Sequence, residues 1–391
     1  MNICILKESL VIGGTERSAA NISKVLDNEH NVFVTLYDAS QIKYSYAGKL
    51  IDLKLPPKKS LIGKVINTYR REAKLRRLLK SKQIDILYTF TGISNMQTRY
   101  KYDVTKIISA RDFGGMYEKH EAYKAALNNS SAMICNSEYT KEFYLSKYPE
   151  DSNKVFAVYN YIDVDEIQKQ SEEIVENEYI EFLKKHKDVL VSVGRFCKEK
   201  GFEYLIEAFA KAREKNQELG LVLVGDGEYK QKYMDAIEKL GITSHVYFTG
   251  FQKNPYKYMK KCSCFVLSSI SEGFPNVVAE AMALGLPVIA DNCYSGPAEI
   301  LRKDKNYQAV TDMYQECDFG ILTPRITESD NSNSVLQLSK AIEKLLAGAE
   351  KRRYYSEISL KRAEDFSMES TRVKLNNIFN ELLKQGGKQN D

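Results

Sequence analysis

Residues 271–290 read SEGFPNVVAEAMALGLPVIA, and this stretch decides the fold. Pro275 is suited to the first turn of a helix, so the pattern predicts a loop, a helix over 276–284 and a strand over 287–290. A strand over 264–268 precedes the loop. Strands that alternate with helices in this way are typical of a parallel α/β sheet.

Two acids in this stretch carry its chemistry. Glu272 lies in the loop before the helix, and Glu280 lies about two turns inside it. A helix N-terminus can hold a phosphate, while the two carboxylates can accept from sugar and ribose hydroxyls. The segment therefore offers a group for each part of a nucleotide-sugar. The alternative is two solvated acids on an amphipathic helix.

The same alternation continues on both sides of the segment. We predict further strands over residues 2–6, 31–37, 84–90, 106–109, 132–136, 154–158, 189–193, 220–224 and 246–249, and helices over 21–26, 137–147, 202–215, 229–240, 255–260 and 368–383. The polar stretch 165–187 is interpreted as a linker with a surface helix, which puts a domain junction near residues 160–188. Two doubly wound sheets follow, and such sheets bind ligands at the carboxyl ends of their strands.

Three further loops occupy strand ends. Residues 13–17 read GGTER, residues 194–201 read GRFCKEKG, and residues 225–227 read GDG. Glycines let a backbone approach a ligand, and Arg195 and Lys200 bring two cations suited to phosphate oxygens. The alternatives are a plain tight turn at 13–17 and 225–227, and a solvated basic loop at 194–201. A dehydrogenase is excluded at 225–230, because Lys230 replaces the third glycine of its fingerprint.

With Glu272-x7-Glu280 and the following AMALGLPVIA, the sequence resembles the EX7E signature of glycosyltransferase family 4, which is retaining and has the GT-B fold. Residues 13–16 resemble that family's N-terminal loop, and residues 160–163 (NYID) resemble its crossover between domains. The loops at 194–201 and 224–227 are similar to its phosphate and strand–turn motifs. The resemblance covers most of the chain.

The resemblance implies an α/β fold of GT-B type, with two Rossmann-like domains facing across a cleft. We expect an acceptor-binding domain over residues 1–165, a nucleotide-sugar-binding domain over 186–365, and a C-terminal helix over 366–385 that crosses back to the first domain. The transfer of a hexose or N-acetylhexosamine from a UDP-sugar to a glycan or polyprenyl-diphosphate-linked acceptor is the activity implied. Residues 295–297 (SGP) resemble those of enzymes that build bacterial surface polysaccharides or lipid-linked glycans.

The resemblance also implies roles for individual residues. Arg195 and Lys200 bind the donor diphosphate, Glu272 contacts the donor sugar, and Glu280 holds the ribose hydroxyls. The other donor-binding residues implied are Gly14, Thr15, Phe251, Gln252, Gly273, Phe274, Pro275, Asn276 and Val277. The mechanism implied is front-face displacement, in which the leaving diphosphate oxygen helps to accept the acceptor's proton.

The family pattern needs no metal, and the two cations would stabilise the charge that develops on the leaving group. The DxD formed by Asp163 and Asp165 falls in the crossover and is interpreted as structural. Several family members carry a His or an acid in the first-domain loop that faces the transferred sugar. The corresponding residues 109–115 (SARDFGG) have no His, so Arg111 and Asp112 are the acceptor-side candidates.

Composition favours a cytoplasmic protein, and the basic stretch described below adds a peripheral location on the inner face of the plasma membrane. Apolar runs stay well short of the roughly 20 residues that span a bilayer, and residues 1–6 do not resemble a signal peptide. The seven cysteines are interpreted as reduced and buried, and the four scattered histidines predict no zinc site.

Positive charge is concentrated between Lys54 and Lys82, where eleven Lys or Arg face a single acid, Glu72. Its apolar residues fall near helical spacing. The alternatives are a solvated basic helix, adsorption to anionic lipid, and nucleic-acid binding. We expect no nucleic-acid partner, because no known reader motif accompanies the patch.

Three competing functions use a similar two-domain plan. A nucleotide-sugar epimerase needs acid and base groups in the cleft, and the EX7E motif is not characteristic of epimerases. A phosphorylase needs a pyridoxal lysine and usually a far longer chain. The third alternative is a non-catalytic nucleotide-sugar-binding GT-B protein. The only sequence evidence against it is that the set of Arg195, Lys200, Glu272 and Glu280 is complete.

Overall fold

The computed structural model describes residues 1–11, 13–90, 92–304, 312–327, 329 and 331–387. The chain forms two compact units. Unit 1 comprises Met1–Tyr161 and Met368–Asp391, and unit 2 comprises Ile162–Ser367.

Unit 1 alternates strands and helices from its first residues. Its elements are β1 (Asn2–Lys7), α1 (Gly14–Asp27), β2 (Asn31–Leu36), β3 (Lys49–Asp52), α2 (Leu61–Ser81), β4 (Ile86–Phe90), α3 (Gly92–Asn95), β5 (Thr105–Ala110), α4 (Phe113–Leu127), β6 (Ala132–Cys135), α5 (Glu138–Lys147) and β7 (Val155–Ala157).

The seven strands of unit 1 form one sheet in the order β3-β2-β1-β4-β5-β6-β7, and every pairing is parallel. Strand β4 is buried along its whole length, and its neighbours β1 and β5 are buried except at their first one or two residues. Strand order reverses direction between β1 and β4. In such sheets the loops at this reversal are where ligands bind.

Unit 2 repeats the alternation with more helices. Its elements are α6 (Val164–Ser171), α7 (Asn177–Lys184), β8 (Asp188–Val193), α8 (Phe202–Arg213), β9 (Leu219–Val224), α9 (Lys230–Lys239), β10 (Val246–Gly250), α10 (Tyr256–Met259), β11 (Cys264–Leu267), α11 (Asn276–Ala283), β12 (Val288–Asp291), α12 (Pro297–Leu301), β13 (Gln315–Glu316), β14 (Ile321–Thr323), α13 (Ser332–Ala347) and α14 (Ala349–Ala363).

The sheet of unit 2 has the order β10-β9-β8-β11-β12-β14-β13. Its pairings are parallel except for β13, which runs antiparallel to β14 at the edge. Here the order reverses between β8 and β11. Both units therefore have the doubly wound, Rossmann-like architecture that the sequence predicts.

The last helix, α15 (Met368–Gly387), packs in the core of unit 1. Leu375 and Phe379 are fully buried there, and the Phe379 ring meets that of Tyr88 edge-on, with 6.2 Å between centroids. At the surface, His30 and Asn376 are joined by a 2.8 Å hydrogen bond. The expected return of the C-terminal helix to the first domain is confirmed.

The polar stretch 165–187 is more ordered than a linker. It forms α6 and α7, and Tyr179 of α7 is fully buried, with its hydroxyl donating to the Tyr258 carbonyl at 2.8 Å. Unit 2 therefore begins at Ile162, ahead of the predicted start at residue 186, because two apolar side chains of α7, Tyr179 and Phe182, anchor the segment.

Candidate functional site

The loops after β8 and β11 lie at the switch point of unit 2. The first contains residues 194–201 and leads into α8, and the second contains residues 268–275 and leads into α11. Because β8 and β11 are paired in parallel, both loops leave the same edge of the sheet. The residues with the most specific sequence signals are thus brought together.

Two glycines after β9 allow the first loop to pack closely. Gly225 has φ 149°, and a Cβ there would lie 1.9 Å from the Gly194 carbonyl oxygen. Gly227 has φ 157°, and its Cβ would lie 2.4 Å from the Phe196 carbonyl oxygen. The Phe196 N–H donates to the Asp226 carbonyl at 2.9 Å. These glycines serve a tight turn that supports the loop carrying Arg195.

The two switch-point loops are held to each other by backbone. Gly201 has φ 57°, and a Cβ at this position would lie 2.1 Å from the Ser268 carbonyl oxygen. The Ile270 N–H donates to the Glu199 carbonyl at 2.8 Å, and Ser268 Oγ donates to the Lys200 carbonyl at 3.2 Å. Lys200 is therefore fixed beside the loop that carries Glu272.

Lys200 and Glu272 form an ion pair at the centre of these loops. Lys200 Nζ lies 2.6 Å from Glu272 Oε1, and Ser269 Oγ donates to the same oxygen at 2.7 Å. Burial lowers the pKa of Lys200, but the charge and hydrogen bond of Glu272 outweigh it, so the pKa lies above its usual range. Lys200 is a cation at neutral pH.

Ser295 holds the loop that follows Glu272. Its φ is 69°, in the left-handed region, and its Oγ donates to the Gly273 carbonyl at 2.6 Å. Gly296 has φ 92°, and a Cβ there would lie 2.3 Å from Pro275 Cδ. The Ser-Gly-Pro variant noted in the sequence thus adds a hydrogen bond to the predicted donor-binding backbone.

Helix α11 places Glu280 below this loop. Phe274 and Pro275 are buried, and the Phe274 ring contacts that of Phe366 at 5.4 Å between centroids. The Glu280 side chain is buried within the helix packing. Asn276 and Val277 are half-buried in the first turn of α11.

The remaining predicted donor residues of unit 2 are more exposed. Arg195 is exposed on the first loop, and its pKa is raised by contact with the Cys197 side chain. Phe251 follows β10 and is 78 % exposed, and Gln252 Nε2 donates to the Thr249 carbonyl at 2.8 Å. Both residues lie at the carboxyl edge of the same sheet.

In unit 1 the GGTER sequence lies where the loop after β1 enters α1, with Gly13 as the N-cap and residues 14–17 in the first turn of the helix. Gly13 has φ 144°, and a Cβ there would lie 2.2 Å from Glu16 Oε2, so the Glu16 carboxylate packs against the loop. Thr15 Oγ1 donates to the same carboxylate at 2.9 Å. Lys7 Nζ lies 3.1 Å from Glu16 Oε1 and also contacts Glu8. Gly14 is the exposed first residue of α1.

The two acceptor-side candidates have different environments. The Arg111 guanidinium is buried and donates to Tyr88 Oη at 2.6 Å, Ser109 Oγ at 2.7 Å and Asn160 Oδ1 at 3.3 Å. Asp112 is exposed and caps α4, accepting from the Gly115 N–H at 2.7 Å. Arg111 therefore supports the carboxyl end of β5, and Asp112 remains the accessible group.

The described parts of the chain contain no cluster of three His, Cys, Asp or Glu side chains arranged to hold a metal. In the DxD of the crossover, Asp163 has a structural role. It caps α6 by accepting from the Glu166 N–H at 3.1 Å. Across the same described residues, every helix is too short or too polar to cross a bilayer.

Two residues of the site, Ser269 and Cys293, gave no recognisable signal in the sequence. Ser269 is an ordinary loop residue until the fold brings its hydroxyl to the Glu272 carboxylate. Cys293 is buried near the ion pair, and its thiol pKa is raised well above its usual range by burial and by the Asp291 and Glu272 charges. It is a neutral thiol at pH 7 and behaves as a small buried apolar group.

Comparison with known families agrees with the fold and loops. Residues 12–166 match glycosyltransferase family 4, and residues 173–317 match the glycosyl transferases group 1. The chain belongs to glycosyltransferase family 4, with the GT-B architecture, and is a glycosyltransferase.

Individual relatives place it among glycan-building enzymes. It is 34 % identical over 65 % of each chain to an uncharacterized glycosyltransferase, MJ1059, of Methanocaldococcus jannaschii. It is 27 % identical, over 92 % of this chain and 93 % of the relative, to the N-acetylgalactosamine-N,N'-diacetylbacillosaminyl-diphospho-undecaprenol 4-alpha-N-acetylgalactosaminyltransferase of Campylobacter jejuni.

The fold is also similar to that of Anabaena Alr3699/HepE, solved in complex with UDP and glucose. The two structures superpose with a TM-score of 0.71, at 17 % identity, over 97 % of this chain and 99 % of the other. At this identity the likeness concerns the fold.

Proposed function

We propose that this glycosyltransferase transfers a hexose or N-acetylhexosamine from a UDP-sugar, with retention, to a glycan or polyprenyl-diphosphate-linked acceptor in surface polysaccharide synthesis. The observation that carries the proposal is the Lys200–Glu272 ion pair, set between the two switch-point loops of unit 2. A cation and a carboxylate in contact suit a ligand that carries a diphosphate next to a sugar.

The donor's parts are assigned to neighbouring groups. Arg195 and Lys200 take the diphosphate, with the phosphate competing against Glu272 for Lys200 Nζ. Glu272, still held by Ser269, accepts from hydroxyls of the donor sugar. Glu280 accepts from the ribose, and the exposed Phe251 ring with Gln252 borders the base. Gly14 and Thr15, at the start of α1, are the donor-binding candidates of the first domain.

The chemistry follows from charge stabilisation. The bond between the sugar's anomeric carbon and the diphosphate oxygen breaks, and the acceptor hydroxyl attacks from the same face. The departing oxygen takes up the acceptor's proton. Arg195 and Lys200 stabilise the negative charge on the leaving diphosphate, so that no metal is needed.

The relatives support the substrate classes. UDP and glucose occupy the Anabaena structure, and the Campylobacter relative is named for an undecaprenol-diphosphate-linked substrate. The proposal therefore includes a cytoplasmic enzyme, peripheral on the inner face of the plasma membrane, where such acceptors are anchored. Arg111 and Asp112 are its acceptor-side candidates.

A thermal-shift screen over UDP-, GDP- and ADP-sugars, with and without EDTA, tests the donor. A bound donor at 100 times its Kd should stabilise the enzyme by about 2.7 kcal/mol. We expect stabilisation by UDP-sugars and no effect of EDTA. A preference for another base would contradict the UDP assignment, and loss of binding in EDTA would contradict the metal-free site.

Paired variants test the residue roles. Arg195→Ala with Lys200→Ala should reduce transfer by more than the roughly 100- to 1000-fold expected for one lost donor. Lys211→Ala, which removes an exposed lysine near the far end of α8, is the matched control and should retain activity. Unchanged turnover in the double variant would remove the diphosphate assignment.

The product distinguishes the competing activities. With a UDP-sugar and a lipid-linked acceptor, NMR should show a new glycosidic bond with the anomeric configuration of the donor. An inverted bond would exclude the retaining mechanism. An isomerised nucleotide-sugar would identify an epimerase, and binding without turnover of the donor would identify a binding protein.

A further inference from the structure

Helix α2 presents an apolar face to solvent. Five large apolar side chains on its first three turns are between 51 % and 79 % exposed: Leu61, Ile62, Val65, Ile66 and Tyr69. At 100° per residue, these positions fall within one side of the helix. Farther along the helix, Leu75, Leu78 and Leu79 are buried and hold its second half to unit 1. Apolar patches of this kind mark interaction surfaces.

Positive charge surrounds this face. Of the eleven basic residues from Lys54 to Lys82, Arg71 is buried and donates to the Leu55 carbonyl at 3.1 Å. The other ten are exposed: Lys54, Lys58, Lys59, Lys64, Arg70, Lys74, Arg76, Arg77, Lys80 and Lys82. The single acid, Glu72, is already paired with Arg76 at 2.6 Å. The surface is therefore strongly cationic around an apolar centre.

From this arrangement we infer that α2 docks the enzyme on an anionic lipid bilayer, with Leu61, Ile62, Val65, Ile66 and Tyr69 entering the boundary between headgroups and acyl chains. A helix with apolar residues on one face and lysines and arginines beside them lies in the plane of such a surface. Tyr69 suits the headgroup level, where tyrosine is enriched.

A lipid surface fits these residues better than a protein partner does. Lysine is depleted in protein–protein interfaces, because its ammonium group is costly to dehydrate. At a bilayer the ten exposed cations stay hydrated among phosphate headgroups while the apolar side chains leave water. The inference concerns where the enzyme acts and does not depend on the donor or the acceptor.

Vesicle co-sedimentation tests the inference. The full-length protein should bind vesicles of phosphatidylglycerol mixed with phosphatidylcholine, and pure phosphatidylcholine vesicles should bind much less. Raising the salt concentration should weaken binding, because it screens the exposed charges. Equal binding to both kinds of vesicle, or binding to neither, would overturn the inference.

Two double variants separate the apolar and charged contributions. Ile62→Ser with Ile66→Ser should weaken binding at least about tenfold through the apolar area withdrawn from the bilayer. Arg70→Gln with Arg77→Gln should weaken it by roughly fivefold per charge removed. Both should keep the wild-type melting temperature within a few degrees, because all four side chains are exposed.

Matched controls lie in unit 2. Ile174→Ser with Met234→Ser removes two other exposed apolar side chains, and Lys185→Gln with Lys239→Gln removes two other exposed charges. Neither should change vesicle binding, and an equal loss in the controls would contradict the role of α2. A dimer in size-exclusion chromatography that the serine variant abolishes would assign the face to a second copy instead. Because no sugar is transferred in this assay, failure to bind vesicles would overturn the docking of α2 and the peripheral location, while the proposed sugar transfer would be unaffected.

Discussion

The two sheets share the order of their first five strands, yet the loops after their first strands, β1 and β8, are held in opposite ways. In unit 2, backbone hydrogen bonds and glycines fix the loop, and the Lys200 and Glu272 side chains remain 26 % and 11 % exposed. In unit 1, the Lys7 side chain is only 5 % exposed and supports the GGTER loop from within through Glu8 and Glu16. Because backbone and glycines hold the loop of unit 2, the charges of Lys200 and Glu272 are available to a ligand.

The strongest test of this contrast is Gly225→Ala. A Cβ at 1.9 Å from the Gly194 carbonyl forces the backbone of the first loop to move, so we expect a loss of roughly 3–5 kcal/mol in the stability of unit 2. Gly241→Ala is the control, because its φ is 68° but nothing lies within 4 Å. That change should cost about 1–2 kcal/mol. Calorimetric unfolding measures both, and equal losses would mean that the close packing is unimportant.

Replacing one arginine of each unit with methionine sharpens the comparison. Arg111→Met removes the partner of three buried polar groups and should destabilise unit 1 by about 3 kcal/mol. Arg195→Met changes an exposed side chain, so stability should stay within about 0.5 kcal/mol while transfer falls at least about 100-fold. Denaturant unfolding and donor turnover, measured on both variants, should give opposite patterns. A destabilised Arg195 variant with full turnover would reverse the interpretation.

The Lys200–Glu272 pair predicts a pH dependence. Because the folded pKa of Lys200 is raised, its stabilising contribution is present below the unfolded pKa of about 10.4 and is lost as pH rises through the folded value. Wild type should therefore exceed Lys200→Met by about 1–2 kcal/mol at pH 8, with the difference shrinking above roughly pH 10.5. Unfolding at a series of alkaline pH values measures it. A difference that grows with pH would contradict the ion pair.

The smallest effects are expected at Ser295. Ser295→Ala loses the hydrogen bond to the Gly273 carbonyl and keeps the left-handed backbone, so it should cost about 1–2 kcal/mol. Ser295→Gly also loses the bond but relieves the backbone, and should cost less than the alanine change. Both should raise the donor KM a few-fold. An alanine variant more stable than the glycine variant would show that the φ of 69° carries no strain.

Regular structure was largely accessible from the sequence. The predicted strands coincide with β1, β2, β4 to β7 and β8 to β12. The spacing of apolar residues and the loops at strand ends are local properties of the sequence, so they can be identified without the fold. The short β3, β13 and β14 gave no such period. Helix α4 contains a non-helical residue at Lys119 and a Gly114-Gly115 pair in its first turn, which obscured its pattern.

The site was accessible in part. The spacing of Glu272 and Glu280 and the loop with Arg195 and Lys200 are visible in the chain, because each pair lies within one short, continuous stretch of sequence. Their assignment to a donor remains a prediction. The contact between Lys200 and Glu272 joins residues 72 positions apart, and the one between Ser295 and Gly273 joins residues 22 apart.

By itself, the sequence determined the doubly wound architecture, which follows from local periodicity. Its resemblance to glycosyltransferase family 4 indicated the family and implied the residues that would meet a nucleotide-sugar. Only the tertiary structure decided which charged side chains bind other residues of the protein. Arg111 is hydrogen-bonded to its buried neighbours, Lys200 is ion-paired with Glu272, and the apolar face of α2 is exposed to solvent. Burial depends on which distant elements pack together, and that is a property of the whole fold.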